Sequence, residues 1–408
     1  MRVSITKFYF LVFTTLILSH CNTKNLTTPK TLLFDAEHLV LVKKAIENGD
    51  SVYYPAYKHL IEEAELALRE GPYSVTDKKI IPPSGDKKDY ASYSRYWWPD
   101  TTKTDGLPYI RRDGETNPNS QNLDKSDRQR LGAFGDNVET LSLAYYFTGD
   151  ERYATKAAKL LRVWFIDEST RMNPNLNHAQ CRPGHNTGTK SGVLDGRIMI
   201  KALEGSLLLN NSSSWTNTDS EILYDWAESY LEWLTTSKMA LEESRSTNNH
   251  GTYYDVQALY FALYSSNTNK ATNLAEDFLA KRILKQIEAD GSMPEEEART
   301  RPLFYSVFNL HAMFLFARLA ENLNMNIWER SNNDNRIKLA LDNLTPYVDE
   351  DKKWPQSTIT EFDRMEFFTI LKVADRVYPE DNYDKNIYFL PENTRQLHRA
   401  NLVIALMR

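Results

Sequence analysis

Apolar residues recur at i, i+3, i+4 and i+7 through most of the chain beyond residue 30, the spacing that gathers them on one face of a helix. This periodicity predicts helices over roughly 36–48, 56–70, 130–147, 151–165, 193–209, 219–236, 252–264, 271–289, 302–322, 335–344, 361–377 and 394–406. Several ends are legible. Thr148-Gly149-Asp150 stops one helix and caps the next, and Asn217-Thr218-Asp219 precedes another apolar-periodic run. Alternation at period 2 is almost absent, so the chain reads as all-α. A dozen helices on mostly short links, with no short exact repeat, suggest antiparallel hairpins set side by side, as a superhelix or closed into an incomplete α/α toroid. Two irregular stretches interrupt the pattern, 72–127 and 167–192. Loops of that length are functional or disordered. Tyr96-Trp97-Trp98-Pro99 in the first is a sequence that disordered linkers rarely carry, so both read as ordered loops over a central cleft.

Composition narrows the function. The 408 residues carry 49 basic and 55 acidic side chains, a net charge of −6 that gives no reason to expect nucleic acid as a partner. A local basic cleft for an acidic substrate remains compatible with it. Aromatics make up 12%, a supply suited to stacking on sugar rings. At the N-terminus, Met1-Arg2 and Lys7 precede an apolar run from Phe8 to Leu18, then Ser19-His20-Cys21. This is an export signal, too short for a membrane span. Cysteine directly after the run resembles a bacterial lipoprotein signal, with Cys21 lipidated and the protein periplasmic or anchored to the outer membrane. His20 departs from the small residue usual there, and ordinary cleavage near Asn22 is the alternative. The expected organisation is a signal over 1–21, a polar linker over 22–30 and one domain over 31–408. Cys181 is the only other cysteine, so no intrachain disulfide forms once Cys21 is lipidated or removed.

Four constellations carry candidate chemistry. In Asn248-Asn249-His250-Gly251 an asparagine caps a helix start, and His250, Tyr254 and Gln257 share one stripe at i, i+4, i+7. A polar helix mouth favours an anion, although a plain cap and a hydrogen-bonded histidine fit the spacing as well. In Glu295-Glu296-Glu297-Ala298-Arg299-Thr300-Arg301-Pro302, proline opens a helix, with Arg299 just outside it and Tyr305 in its first turn. The cation beside that phenol is expected to lower a pKa otherwise about 10. The three glutamates read as a solvated or partner-pairing face. The loop from Tyr90 to Asp100, followed by Gly106-Leu107-Pro108-Tyr109-Ile110-Arg111-Arg112, interleaves aromatics and arginines. That mixture suits sugar stacking and carboxylate binding, with one tryptophan serving as a plug. The loop from Asn177 to Gly188, leading through Gly192-Val193-Leu194-Asp195-Gly196-Arg197 into a helix, offers Gln180 and His185 for a polar ligand or as scaffolding. Serine-nucleophile, phosphate-loop, dinucleotide and zinc motifs are all missing, and nothing calls for a cofactor or metal.

In this order, the Tyr-Trp-Trp-Pro-Asp loop, Asn248-Asn249-His250, Arg299 and Tyr305 resemble the alginate lyase superfamily of α/α-toroid polysaccharide lyases. The Gly-Leu-Pro-Tyr-Ile-Arg-Arg-Asp-Gly segment resembles its Bacteroidetes-type branch, which acts on alginate or glucuronan. The resemblance implies β-elimination at a uronic acid. Asn249, His250 and Arg299 would offset the carboxylate charge, and Tyr305 would serve as base and acid. Where the C5 proton and O4 lie on opposite faces, as in guluronate, His250 would be the base. Trp97, Trp98, Gln180, His185, Tyr254 and Arg301 would hold neighbouring sugars of an anionic polysaccharide. Two other readings stay open: a non-catalytic glycan-binding lipoprotein, and an unsaturated-uronide hydrolase using Asp136, Glu139 and Asp255.

Overall fold

The apolar stripes become helices whose ends follow the local chemistry. A computed structural model describes residues 28–329 and 335–403, so the expected signal, with Cys21, lies outside the described residues. Helices α1 (Ala36–Glu47) and α2 (Tyr54–Ala67) lead to the first long loop. After it come α3 (Arg128–Thr148) and α4 (Glu151–Leu161), joined by Gly149 at φ 72° and by Asp150, whose side chain caps α4. Only glycine reaches that left-handed turn without strain. The second long loop closes in a 3₁₀ run (Lys190–Ile198) that feeds α5 (Met199–Leu207), where one α-helix was expected from 193. Then follow α6 (Asn217–Thr236), opened by a Thr216/Asp219 capping box, and the short α7 (Lys238–Glu243). Next are α8 (Asn249–Tyr264), α9 (Thr268–Phe278), α10 (Leu284–Gln286) and α11 (Pro294–Glu297). Helices α12 (Pro302–Ala320), α13 (Arg336–Leu344) and α14 (Phe368–Val377) precede three short C-terminal helices. The expected helices at 151–165 and 271–289 each pass through a π turn, at Arg162–Ile166 and Leu279–Ile283.

Neighbouring helices pack as hairpins, α3 against α4 and α5, and α8 against α6, α9 and α12. Helices α8 and α12 are buried almost all round, and α12 is apolar on nearly every side, the mark of a helix sunk in a core. The stretch Pro302–Leu323 is long and apolar enough to cross a membrane, yet 89% of its apolar 18-residue window is buried. A second, smaller core gathers Leu39, Val42, Ala56 and Leu60 of α1 and α2 with Leu143, Phe147 and the C-terminal Leu402 and Val403. The buried Glu204 of α5 ties the N-terminal segment down. One oxygen accepts the backbone N–H groups of Leu32, Leu33 and Phe34 at 2.9, 2.8 and 3.0 Å, and the other accepts from the Tyr260 hydroxyl at 3.0 Å.

The two long loops are ordered and stitched together. Strand β1 (Ala91–Tyr93) of the first pairs in parallel with β4 (His178–Cys181) of the second, while β2 (Trp97–Trp98) pairs antiparallel with β3 (Ile110–Arg111) inside the first. Ser92 Oγ accepts from the Gln180 amide at 2.9 Å, and Ser94 Oγ donates to the Gln180 carbonyl at 2.7 Å. These strands have two to four residues, too short for an alternating pattern to show in the sequence.

Candidate active site

The stitched loops cover the N-terminal ends of α8 and α12, and between them lies a cavity of about 780 Å³. Its wall carries Arg95, Arg111, Arg128, Arg182, Lys190, Arg197, Arg299 and Arg301, against the carboxylates of Asp113, Glu243 and Glu366. A chain of net charge −6 thus holds a strongly cationic cleft, the arrangement that draws in a polyanion.

Asn248 caps α8, its side chain accepting the His250 N–H at 3.2 Å, so Asn249 and His250 are the first two helical residues. Asn249 is 1% exposed and is gripped from behind by Glu296. Its backbone N–H and its Nδ2 donate to the two carboxylate oxygens at 2.5 and 2.7 Å. Glu296 is itself buried, which pushes its carboxyl up to about 7 against the pull of the Asn249 bonds and the cation of Arg299. The middle one of the three glutamates therefore points inward, contrary to the solvated face expected of them. His250 Nδ1 is bonded to the carboxylate of Glu243, the last residue of α7, which leaves Nε2 for a ligand. Gly251 follows because a Cβ there would lie 2.0 Å from the Ser246 carbonyl and 2.4 Å from Arg282 Nη1. That arginine, buried, braces the turn by donating to the carbonyls of Ser244 and Ser246 and to Asp255.

Tyr305 sits one turn into α12 with its hydroxyl donating to the Tyr96 hydroxyl at 3.0 Å. The Arg299 guanidinium lies over the Tyr305 ring, 3.8 Å from its centroid, and is ion-paired to Asp113 at 3.0 Å. Arg111 and Thr300 also bond Asp113. Burial raises the Asp113 carboxyl, but the bonds and charge of Arg299 and Arg111 outweigh it, so the net shift is downward. At Tyr305 the balance goes the other way. Burial and the neighbouring Tyr96 raise the phenol well above its ordinary value, and Arg299 only partly opposes them. The expected lowering is thus not the net outcome, because desolvation outweighs one cation that is already shared with Asp113.

Of the residues expected to hold sugars, Trp97, Gln180 and Arg301 line the cavity. Arg182 lies 4.6 Å from the Trp97 ring centroid. Gln180 adopts φ 49° and donates to Asp195 at 3.1 Å. Asp195, wholly buried, also accepts from Tyr90 at 3.0 Å, from Ser92 at 2.8 Å and from Arg128. Trp98, His185 and Tyr254 stand outside the wall. The half-exposed Trp98 ties the loop by donating its indole N–H to the Glu115 carbonyl at 3.1 Å, and it packs on neither hydrophobic core, so it is not the hydrophobic plug expected of one tryptophan. His185 packs edge-on to Trp97 and bonds the Tyr109 carbonyl at 2.8 Å, so it is scaffolding between the loops. Tyr254 is 4% exposed and donates to the Leu234 carbonyl, and Gln257 is fully buried against Tyr230. The stripe of His250, Tyr254 and Gln257 runs into the core, because α8 is enclosed on every side beyond its first turn.

The family model described as alginate lyase matches residues 74–354, most of the chain and all of the cavity wall except Glu366. The chain belongs to the alginate lyase family. A crystal structure of an alginate lyase from Bacteroides ovatus is 40% identical, covering 93% of this chain and 100% of that one at a TM-score of 0.87. Alginate lyase A1-III from Sphingomonas species A1 is 16% identical, with 80% and 89% covered and a TM-score of 0.51. A substituted A1-III complexed with tetrasaccharide is likewise 16% identical, with 76% and 77% covered and a TM-score of 0.52. The two A1-III likenesses speak for the fold alone, an α/α toroid, which is one of the two arrangements the helix pattern allowed and the one the family resemblance implied. None of the curated protein sequences matches the chain.

This alginate lyase family member is a polysaccharide lyase, and its acidic residues are disposed accordingly. Asp136 pairs with Lys201 at 2.7 Å, Glu139 with Arg399 at 3.3 Å, and Asp255 with Arg282 at 2.7 Å; none of the three carboxylates reaches the cavity. The hydrolase arrangement therefore has no acid and base from that set. Among the described residues, no group of three or more His, Cys, Asp or Glu could hold a metal ion. Sequence reading missed Tyr96 as the partner of Tyr305, and it missed Glu243, Glu296, Arg128 and Asp195. Tyr96, Glu296 and Asp195 lay in segments already marked for chemistry, though with no role given to them. The others act across distances in sequence that no local spacing reveals.

Proposed function

We propose that this lyase cleaves the 1,4 links of alginate by β-elimination, leaving a 4,5-unsaturated uronide at each new end. Support comes from one observation above all: Asn249, His250, Arg299 and Tyr305, from separate segments, line one cation-walled cavity. The C5 proton of a uronate is weakly acidic, and the adjacent carboxylate makes its removal harder. Donors held in place before reaction offset that charge, each worth about 10²–10³ in rate. Asn249, backed by Glu296, and Arg299, backed by Asp113, are the groups for this task. A neutral phenol is the form that protonates the departing O4, and Tyr305 is in that form at rest. With guluronate, His250, its Nδ1 on Glu243, takes the C5 proton through Nε2 from the opposite face. With mannuronate the proton and O4 share a face, and Tyr305 does both jobs. Its phenol proton first passes to solvent; the phenolate, with Arg299 against its ring and Tyr96 at its oxygen, takes the C5 proton, and that same proton then goes to the departing O4. Both alginate uronates are then within reach, and glucuronan shares the mannuronate geometry. The N-terminal 21 residues we read as a lipoprotein signal, which mass analysis of the mature N-terminus tests.

The deciding experiment incubates purified protein with polymannuronate, polyguluronate and glucuronan while following the ultraviolet absorbance of the new C4–C5 double bond. A rise with at least one alginate polymer is expected. Binding with no rise on any polymer would instead support a glycan-binding protein, and loss of signal from unsaturated oligomers would support a hydrolase.

A further inference from the structure

We propose that Glu296 is a positioning residue that holds the Asn249 amide in a single orientation, with one Nδ2 hydrogen on Glu296 and the other presented to the sugar carboxylate, an inference that rests on the role given to Asn249 above. An asparagine amide is nearly symmetric in shape, so its oxygen and nitrogen ends exchange by a half-turn about the terminal bond. In a site that must distinguish donor from acceptor, that ambiguity is costly. Glu296 removes it. One carboxylate oxygen takes the Asn249 backbone N–H at 2.5 Å and the other takes Nδ2 at 2.7 Å, a two-point grip on a single residue. A half-turn of the amide would bring Oδ1 against the anionic oxygen, exchanging a charge-assisted bond for a repulsion.

The grip is buried as well as bidentate. Asn249 and Glu296 are each 1% exposed, so water does not compete for either oxygen. Glu296 is carried on α11 (Pro294–Glu297), directly before Arg299 and the start of α12. The same short segment thus supplies the group behind Asn249 and the cation over Tyr305, and sets the two a fixed distance apart. Glu296 does not line the cavity, so it acts only through its neighbours.

Glu296→Gln separates this role from plain packing. The glutamine has the same shape, but its Nε2 would now donate, and the flipped Asn249 Oδ1 could accept from it. Assayed above the Glu296 pKa of about 7, where the native carboxylate is charged, the variant is expected to lose about a hundredfold in kcat, the lower end of the range for one lost preorganised donor. KM should stay within about threefold, because the arginines of the cavity wall still hold the polymer. The Asn249→Ala background supplies the readout that packing would not move. Acting through Asn249, Glu296→Gln should change kcat there by less than about twofold. Additive losses in the double variant would overturn the proposal. An undiminished Glu296→Gln enzyme beside an impaired Asn249→Ala enzyme would overturn the clamp alone, whereas wild-type kcat in Asn249→Ala would overturn the Asn249 assignment and the clamp with it. Should Glu296→Gln not fold, Glu296→Asp keeps the charge but is one methylene too short to grip both points. It is expected to show the same fall in kcat at unchanged KM, and wild-type kcat there would equally overturn the clamp.

Discussion

Tyr305→Phe removes one oxygen and leaves the rest of the residue in place. The residue is 6% exposed, and its ring lies under Arg299 at 3.8 Å and meets Phe304 edge-on at 5.2 Å, contacts that survive in phenylalanine. What is lost structurally is the bond to Tyr96, a neutral pair worth about 0.5–1.5 kcal/mol. Tyr96 is only partly buried and can turn to water, so the lower end of that range applies. Catalysis should lose far more. A positioned acid or base contributes about 10²–10⁴. On mannuronate the same hydroxyl serves in both half-steps, so kcat should fall by at least about 10³, or about 4 kcal/mol of transition-state stabilisation. On guluronate only the acid step passes through it, and the loss should be smaller. The assay pairs initial ultraviolet rates on both polymers with calorimetric binding of a defined oligomer and a thermal melt. Binding within about threefold of wild type and a nearly unchanged melt are expected. A Tyr305→Phe enzyme that keeps a tenth or more of its rate on mannuronate would refute the reasoning.

Three further outcomes follow from other parts of the structure. Glu204→Ala strands three backbone amides and the Tyr260 hydroxyl in the core. Urea denaturation should show a loss of about 3–5 kcal/mol, and a loss below about 1 kcal/mol would mean that the N-terminal segment is held by other contacts. Asp195→Asn loosens Arg128 and Gln180 together, so KM should rise about tenfold with a smaller change in kcat; an unchanged KM would remove both residues from polymer binding. His398 has its pKa lowered to about 4 by burial and by Arg399, and its Nδ1 accepts the Ala400 N–H at 3.1 Å. The unfolded chain then binds the proton first as pH falls. The stability due to neutral His398 is complete above about 6.5 and is lost progressively toward pH 4. Compared with His398→Asn, the wild type should lose on the order of 1–2 kcal/mol more between pH 7 and 4.5, and parallel pH curves would contradict the assignment.

Local chemistry made much of this molecule readable. Gly149 and Asp150 announce the α3–α4 turn, Pro302 announces α12, and the order of the aromatic loop, Asn248-Asn249-His250, Arg299 and Tyr305 points to the family. Misreadings arose where a tertiary environment overrode a local one. The stripe from His250 to Gln257 is regular, but α8 is surrounded, so only its first turn meets the cleft. Three consecutive glutamates look solvated until Asn249 is brought beneath the middle one. Arg299 beside Tyr305 was visible as a charge, whereas the burial that outweighs it was not. His185 and Trp98 have the right chemistry for sugars, and only the fold shows that their polar atoms are spent on Tyr109 and Glu115.

The parallel pairing of β1 with β4 bears on any attempt to redesign substrate choice by grafting a loop from another lyase. The first loop contributes Ser92 and Ser94, the second contributes Gln180, and each bonds the other across the seam. Gly184 packs so closely on Pro108 that a Cβ there would lie 2.6 Å from its Cα. A donor loop transplanted alone would meet a mismatched edge, and Asp195 would lose two of its four donors, Tyr90 and Ser92, with the first loop, or one, Gln180, with the second. The unit to exchange is the pair, cut at 72 and 127 and again at 167 and 192.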